Sequence, residues 1–423
     1  MRPTDIQRSI EAVWRIESPR LTAVLARMLR DLDLAEELAQ DVLVTALERW
    51  PQAGVPDNPG AWLMTAAKRR AIDHLRRQKL LQRKHEQLAY ELESEHEQRA
   101  DAAEAAMDDE IGDDLLRLIF VACHPVLSTE ARVALTLRLL GGLTTAEIAR
   151  AFLQPEPTVA QRIVRAKRTL AERQVPFEVP GAAERGERLE SVLEVIYLVF
   201  NEGYTATAGD DWMRPSLCED ALRLGRVLAG LMSDEAEVHG LLALMEVQAS
   251  RLRARVDAQG RPVLLMEQNR GHWDPLLIRR GLEALERAQR AGAAGPFTLQ
   301  AMIAACHARA PTAQATDWTR IAQLYETLER LTPSPVIALN RAVAVSMAHG
   351  AEAGLALVDA LAADAKLEHY HLLPSVRGEL LGRLGRMAEA REAWQRAAAL
   401  AGNARERELL LRRAAECTQA SPP

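Results

Sequence analysis

The feature that most constrains this chain is a short helix, a tight break and a second helix within residues 144–170, "TTAEIARAFLQPEPTVAQRIVRAKRTL". Thr144 and Glu147 have the spacing of a capping box, which marks the start of a helix. The prolines of "QPEP" end that helix, and Pro157 suits the first turn of the next one. The pattern predicts a helix-turn-helix whose second helix lies in a DNA major groove. The alternative is a helical hairpin without DNA contacts.

The second of these helices has two chemically distinct faces. Apolar residues recur every three or four positions and predict a buried face, formed by Val159, Ile163, Ala166 and Leu170. Hydroxyl, amide and guanidinium groups on the other face are types that contact base edges and phosphates. Candidates for base edges are Thr158, Gln161 and Arg162, and candidates for phosphates are Arg165, Lys167 and Arg168. For an isolated stretch, a solvated amphipathic helix explains the same pattern.

Composition predicts an all-α protein of more than one domain. The 423 residues are rich in Ala, Leu, Glu and Arg, and only 4% are aromatic, which disfavours β-sheet. A chain of this length exceeds one ordinary core. The four cysteines form no CxxC pair, which argues against a disulfide framework and fits a reducing cytoplasm. The N-terminus has no apolar signal segment, and no run of the sequence is long enough for a membrane span.

Charge is distributed in blocks along the first part of the chain, although the net charge is -6. Residues 68–84, "KRRAIDHLRRQKLLQRK", are basic with Asp73 as the single acid, whereas residues 91–114 are strongly acidic. The helix-turn-helix then brings a second basic surface. This order predicts two nucleic-acid-binding modules joined by an acidic linker.

The first module contains an acidic helix pattern, "DLDLAEELAQDVLVTALERW", followed by a basic one. In the acidic pattern Leu34, Leu38, Val42 and Leu47 are expected to face inward, while Glu37, Gln40 and Asp41 project. In "PGAWLMTAAKRRAIDHLRR" the apolar positions predict a buried stripe that includes Trp62. The basic side chains are left for phosphates, and they are Lys68, Arg69, His74, Arg76 and Arg77.

These strings resemble the extracytoplasmic-function group of bacterial RNA polymerase sigma factors, over roughly residues 10–173. "AEELAQDV…AL" is similar to the family's helix that docks on the coiled coil of the polymerase's largest subunit. "AWLMTAAKRRAIDHLRR" is similar to the segment that opens and contacts the promoter's −10 element, and residues 143–170 are similar to the −35 module. Residues 69–73 read "RRAID", and the family commonly has Asn where Arg69 stands, so the resemblance does not extend to the family's −10 base preference.

The resemblance implies roles for individual residues and for the linker. Glu37, Gln40 and Asp41 would bind core polymerase. The −10 surface would comprise Trp62, Lys68, Arg69, Asp73, His74, Arg76 and Arg77, and the −35 surface Thr158, Gln161, Arg162, Arg165, Lys167 and Arg168. The acidic linker would occupy the RNA-exit path of the enzyme.

The remainder of the chain predicts further helices after a Pro- and Gly-containing linker at residues 173–188. Gly350 and Gly385 head two similar strings, in which Trp394 would fill a groove between helices. This pattern resembles degenerate tetratricopeptide repeats (TPR), with an Ala-rich helical domain without true repeats as the alternative. The sequence also resembles the sigma-factor subgroup with such an extension, which implies that the extension regulates activity and that its repeats contact another protein.

The expected organisation has five segments. They are sigma region 2 (1–85), an acidic linker (86–114), sigma region 4 (115–175), a helical extension (188–300) and TPR-like repeats (301–423). The predicted function is that of a cytoplasmic alternative sigma factor that binds RNA polymerase core and promoter DNA. No catalytic residues, metal or cofactor are expected. The alternatives are a helical-repeat adaptor and a one-component helix-turn-helix regulator, which would dimerise on two half-sites.

Overall fold

The computed structural model describes residues 3–86, 111–152, 154–205, 213–259 and 261–419. Most of the predicted acidic linker, residues 87–110, therefore lies outside the described residues. The chain divides into two compact units, residues 1–196 and 197–423. The finer division into five segments stays a prediction.

Among its described residues the first unit has seven helices and the beginning of an eighth. They are α1 (Pro3–Leu29), α2 (Leu32–Ala53), α3 (Pro59–Glu86), α4 (Ile111–Ala122), α5 (Thr129–Leu139), α6 (Thr145–Ala151), α7 (Glu156–Glu172) and α8 (Ala182–Tyr204). The boundary between the units falls within α8, after Ile196.

The first three helices bury a common apolar core. Leu25 of α1, Val42 and Trp50 of α2, and Leu63 of α3 are almost completely buried in it. Asp31 caps α2 by accepting hydrogen bonds from the backbone N–H groups of Asp33 and Leu34, which fixes where the acidic helix begins.

In the part of the second unit that the structure describes, ten helices follow the end of α8, together with short 3-10 turns. They are α9 (Pro215–Leu231), α10 (Ala236–Ala249), α11 (Pro275–Ala291), α12 (Pro296–Arg309), α13 (Trp318–Leu331), α14 (Pro335–His349), α15 (Ala351–Leu361), α16 (Leu372–Arg383), α17 (Met387–Leu400) and α18 (Ala404–Gln419). From α12 onward each helix packs against the next one in the chain. The described residues contain no β-strand and only single β-bridge positions, such as the bridge between Val256 and Pro262, so the predicted all-α fold is confirmed.

The two predicted repeat glycines occupy equivalent turns. Gly350 (φ 99°) lies between α14 and α15, and Gly385 (φ 75°) lies between α16 and α17. Both have the left-handed backbone conformation that glycine adopts without strain. Trp394 is buried against Gly378, where a Cβ atom would lie only 3.0 Å from the indole ring. These features are typical of stacked helical hairpins, and the assignment to tetratricopeptide repeats stays a prediction.

None of the helices in the described ranges combines the length and apolar content that a membrane crossing requires.

Candidate nucleic-acid interface

The helix-turn-helix has the local geometry that its sequence predicts. The Thr144 side chain accepts a hydrogen bond from the Glu147 N–H, and the Glu147 carboxylate accepts one from the Thr144 N–H, which completes the capping box. The second helix, α7, starts after Pro155 with Pro157 in its first turn. Local chemistry alone therefore determines where both helices begin.

The two faces of α7 are separated as predicted. Val159, Ile163, Ala166 and Leu170 are buried, and Thr158, Gln161, Arg165 and Arg168 are exposed. Arg162 is half-buried, and its guanidinium donates to Gln154 Oε1 at 2.7 Å. Arg168 pairs with Glu172 at 2.6 Å, a contact between exposed groups that is worth little free energy.

Val164 belongs to the exposed face of α7, although its apolar side chain does not fit the polar pattern of that face. Its side chain is 62% exposed, and it lies three residues after Gln161 and four before Arg168, on the same side of the helix. An apolar group in this position can contact the methyl group of thymine, which side chains reach in the major groove.

Lys167 is in a different environment from the other predicted −35 residues. It is only 9% exposed, and its Nζ donates to Glu36 Oε2 at 2.6 Å and to Asp33 Oδ1 at 2.8 Å. Burial alone would lower the pKa of Lys167, but the two carboxylates outweigh it and hold the pKa above its usual value. In this arrangement the Lys167 ammonium is held by two carboxylates of α2 and is not available to a DNA phosphate.

Two further ionic contacts join α5 to α2 and α4 to α1. Arg138 of α5 pairs with Glu36 of α2 at 2.5 Å. The carboxylate of Asp114 is fully buried between Arg27 of α1 at 2.8 Å and Arg117 at 2.7 Å. Asp114, which the sequence assigned to the acidic linker, is thus a structural residue of α4.

The predicted polymerase-binding residues lie together on α2. Glu37, Gln40 and Asp41 are exposed on one face, and Asp41 pairs with Arg70 of α3 at 3.0 Å. The expectation that Leu47 faces inward is wrong, because its side chain is 41% exposed. Ala46 and Trp50 take the buried positions of this turn instead. Leu47 and Val44, whose side chain is 51% exposed, extend the acidic face with apolar surface.

The predicted −10 residues lie along α3 in two environments. Arg69, Asp73, Arg76 and Arg77 are exposed, whereas Trp62, Lys68 and His74 are partly buried. Trp62 packs edge-on against Trp50, with ring centroids 5.4 Å apart. Its indole therefore belongs in part to the core of the first unit and links α3 to α2.

Family models match three parts of the chain. Residues 14–80 match Sigma-70 region 2, and residues 117–170 match Sigma-70, region 4. Residues 188–289 match a family of unknown function. The two sigma matches fall on the helices that carry the predicted surfaces, in the predicted order.

Curated relatives share these regions. ECF RNA polymerase sigma factor SigK of Mycobacterium ulcerans is 33% identical over 162 residues, which are 36% of this chain and 78% of that protein. The chain belongs to the ECF sigma factor family. A probable ECF sigma factor, SigI of Mycobacterium tuberculosis, is 25% identical over 177 residues. An uncharacterised protein of Rhizobium meliloti is 45% identical over 389 residues, which are 92% of this chain and 91% of that protein.

As an alternative sigma factor, the protein binds RNA polymerase core and promoter DNA and provides specificity at transcription initiation. Sigma factors are non-catalytic subunits of the polymerase. The similarity to the Rhizobium meliloti protein extends over the second unit as well, so the long extension is shared with a relative of nearly the same length.

Proposed function

We propose that this sigma factor binds the largest-subunit coiled coil of polymerase through α2, the −10 element through α3 and the −35 element through α7. The observation that carries the proposal is the exposed face of α7, which presents polar and cationic groups beyond a completed helix-turn-helix. A buried apolar stripe on the opposite side holds that face outward.

At the −35 element, Thr158 and Gln161 are assigned to base edges because they lie at the N-terminal end of α7. Arg162 joins them, with its guanidinium held in place by Gln154. Arg165 and Arg168, farther along the exposed face, are assigned to phosphates, which contribute salt-dependent affinity without sequence choice. Lys167 becomes a phosphate contact only after it separates from Glu36 and Asp33.

At the −10 element, the cations exposed on α3 attract the phosphates of the strand being opened. These residues are Arg69, Arg76 and Arg77, beside Asp73. Lys68, His74 and Trp62, which are less exposed, are assigned to the edges of this surface. Extruding a base from the stack costs a few kcal/mol, and a basic surface attached to polymerase offsets that cost.

On α2, the binding surface for polymerase combines acidic and apolar groups. Glu37, Gln40 and Asp41 supply its polar part, and Val44 and Leu47 supply apolar area that this unit leaves in water. An apolar patch with a charged rim is the usual composition of a protein interface.

The second unit is assigned a regulatory role, in the cytoplasm and without catalysis of its own. Its hairpins from α13 to α18 offer an extended surface to a protein partner, as stacked helical repeats do. Support comes from the resemblance to sigma factors with such an extension and from the shared length of the Rhizobium meliloti relative.

The assignment of α2 can be tested with two variants that break the same ion pair. Asp41→Asn removes an acid of the proposed surface, and Arg70→Met removes its partner on α3 while leaving Asp41 in place. Co-migration with purified core polymerase is expected to weaken for Asp41→Asn and much less for Arg70→Met. Equal binding of both variants and the parent chain would contradict the proposed surface.

A further inference from the structure

Arginine and aromatic side chains gather in the second unit, far along the chain from the sigma-type helices. Arg251 Cζ lies 5.8 Å from the centre of the Tyr204 ring and 5.7 Å from that of Trp273. Arg255 lies over Tyr204 at 3.7 Å, and Arg270 lies over Trp273 at 4.8 Å. These five residues are called the arginine–aromatic cluster below.

Two of the three arginines have clear structural partners. Arg255 donates to the carbonyl of Tyr204 at 3.0 Å, at the end of α8. Arg270 donates to the carbonyls of His307 and Ala310 and so holds the end of α12. Both guanidiniums replace water around backbone carbonyls that helices leave unpaired at their ends.

Arg251 differs, because its guanidinium has no hydrogen-bond acceptor among the described residues. The residue is only 8% exposed, and its Nε is buried without a partner. Three more buried nitrogen atoms of this neighbourhood lack partners, namely Arg270 Nε, Trp273 Nε1 and His307 Nδ1. Within the described part of the chain no carboxylate forms an ion pair with Arg251 or Arg270.

A buried guanidinium without an acceptor or a counter-charge destabilises the fold when no ligand is bound. Burying a cation without a counter-charge is unfavourable because the cation loses its hydration, and a contact with an aromatic face offsets only part of that loss. Buried polar groups are normally hydrogen-bonded, so several unpaired polar nitrogen atoms in one neighbourhood indicate a missing partner. A negatively charged acceptor would satisfy both the charge and the open N–H groups.

We propose that the arginine–aromatic cluster binds a small ligand through an oxyanion, a phosphate or a carboxylate group, with Arg251 as its main contact. The Arg251 guanidinium supplies paired N–H groups of the geometry that both oxyanions accept. Trp273 Nε1 and Arg270 Nε supply additional donors, and the aromatic rings keep the site dry. The extension of this sigma factor would then respond to a metabolite as well as to a protein.

The surroundings of His307 agree with a cationic site. Burial, together with the charges of Arg251 and Arg270, lowers the pKa of His307 to about 4. The imidazole is therefore neutral at physiological pH. An anion bound beside it would offset part of the repulsion between the two arginines and a protonated His307.

The test uses the full-length protein and two arginines that are two residues apart. Arg251→Met removes the proposed contact and keeps most of the side-chain volume, whereas Arg253→Met is a matched control at an exposed position. Isothermal titration with sodium phosphate, and separately with sodium succinate, is performed at constant ionic strength. Anions held by the DNA-binding helices contribute equally to all variants.

Saturable binding of phosphate, succinate or both is expected for the parent chain and Arg253→Met, and the probe that binds identifies the oxyanion. Loss of one charged hydrogen-bonding group should weaken this binding about tenfold or more in Arg251→Met. Trp273→Phe keeps an aromatic ring but loses the indole N–H, and it should weaken binding to a smaller extent. This variant provides the test if Arg251→Met fails to fold. Absence of saturable binding to the parent chain, or equal binding by all variants, would overturn the proposal.

Discussion

The ammonium of Lys167, on the helix assigned to the −35 element, lies 2.6 Å from the carboxylate of Glu36 on α2, the helix assigned to polymerase binding. The two promoter elements are roughly 25 base pairs apart, or about 85 Å at 3.4 Å per pair. A compact unit of 196 residues has a radius of gyration of about 16 Å. If α3 and α7 bind the two elements as assigned, we expect the first unit to open before both are occupied.

Weakening this contact is expected to increase DNA binding by the free protein. Glu36→Gln removes a charge that pairs with both Lys167 and Arg138, so it favours the open arrangement and frees Lys167. We expect about fivefold tighter binding to a −35 duplex, from a contribution of about 1 kcal/mol by the partly buried pairs. Fluorescence anisotropy without polymerase measures it, with Glu37→Gln as the exposed neighbouring control. Equal affinity of the two variants would show that the contact does not restrain α7.

A second prediction concerns Val164 and the methyl group of thymine. Thymines of the −35 element are replaced one at a time by uracil, which lacks only that methyl. The holoenzyme is expected to lose about fourfold in affinity at one position, the equivalent of about 0.8 kcal/mol for one buried methyl group. Holoenzyme with Val164→Ala should be insensitive to the same replacement. If the sensitivity persists in Val164→Ala, or if no position is sensitive, Val164 does not contact a thymine.

A third prediction follows from the lowered pKa of His307. The pKa is about 4 in the folded protein and about 6.5 in an unfolded chain. Between these values the unfolded state binds more protons, so the second unit should lose stability as pH falls from 6.5 to 4. NMR titration measures the pKa directly, and His307→Phe assigns the resonance by its loss. A titration midpoint near 6.5 would contradict the buried cationic environment.

The elements that sequence predicts well are those set by nearby residues. The capping box of Thr144 and Glu147, the proline start of α7 and the turns at Gly350 and Gly385 depend on a few neighbouring positions. The buried stripe of α7 follows from helical period alone. These local signals determined the fold class and the location of the helix-turn-helix.

Contacts between distant residues were not predictable in this way. Lys167 belongs to the polar side of its helix by composition, yet it is buried against acids more than 130 residues earlier in the chain. Leu47 fits an apolar period but lies outside the packed stripe of α2. Arg251 has no distinguishing sequence pattern, because its environment is created by side chains from three separate segments.

Two further contacts between distant residues decide where the chain can be truncated. Ser191 Oγ donates to the carbonyl of Cys123 at 2.6 Å, and Arg188 donates to that of Phe120 at 3.0 Å. A chain ending near residue 173 would lose both bonds, so a cut after residue 196 is the appropriate test of the extension. We expect such a chain to bind core polymerase and to differ from the full-length protein in transcriptional output. Identical output in run-off assays would remove the regulatory role.

Run-off transcription with purified core polymerase tests the central claim most directly. Genomic fragments from the source organism serve as templates, and the parent protein is compared with Asp41→Asn. We expect transcripts from defined start sites with the parent protein and a much lower transcript yield with Asp41→Asn. Failure of the parent protein to direct initiation from any template would contradict the central claim.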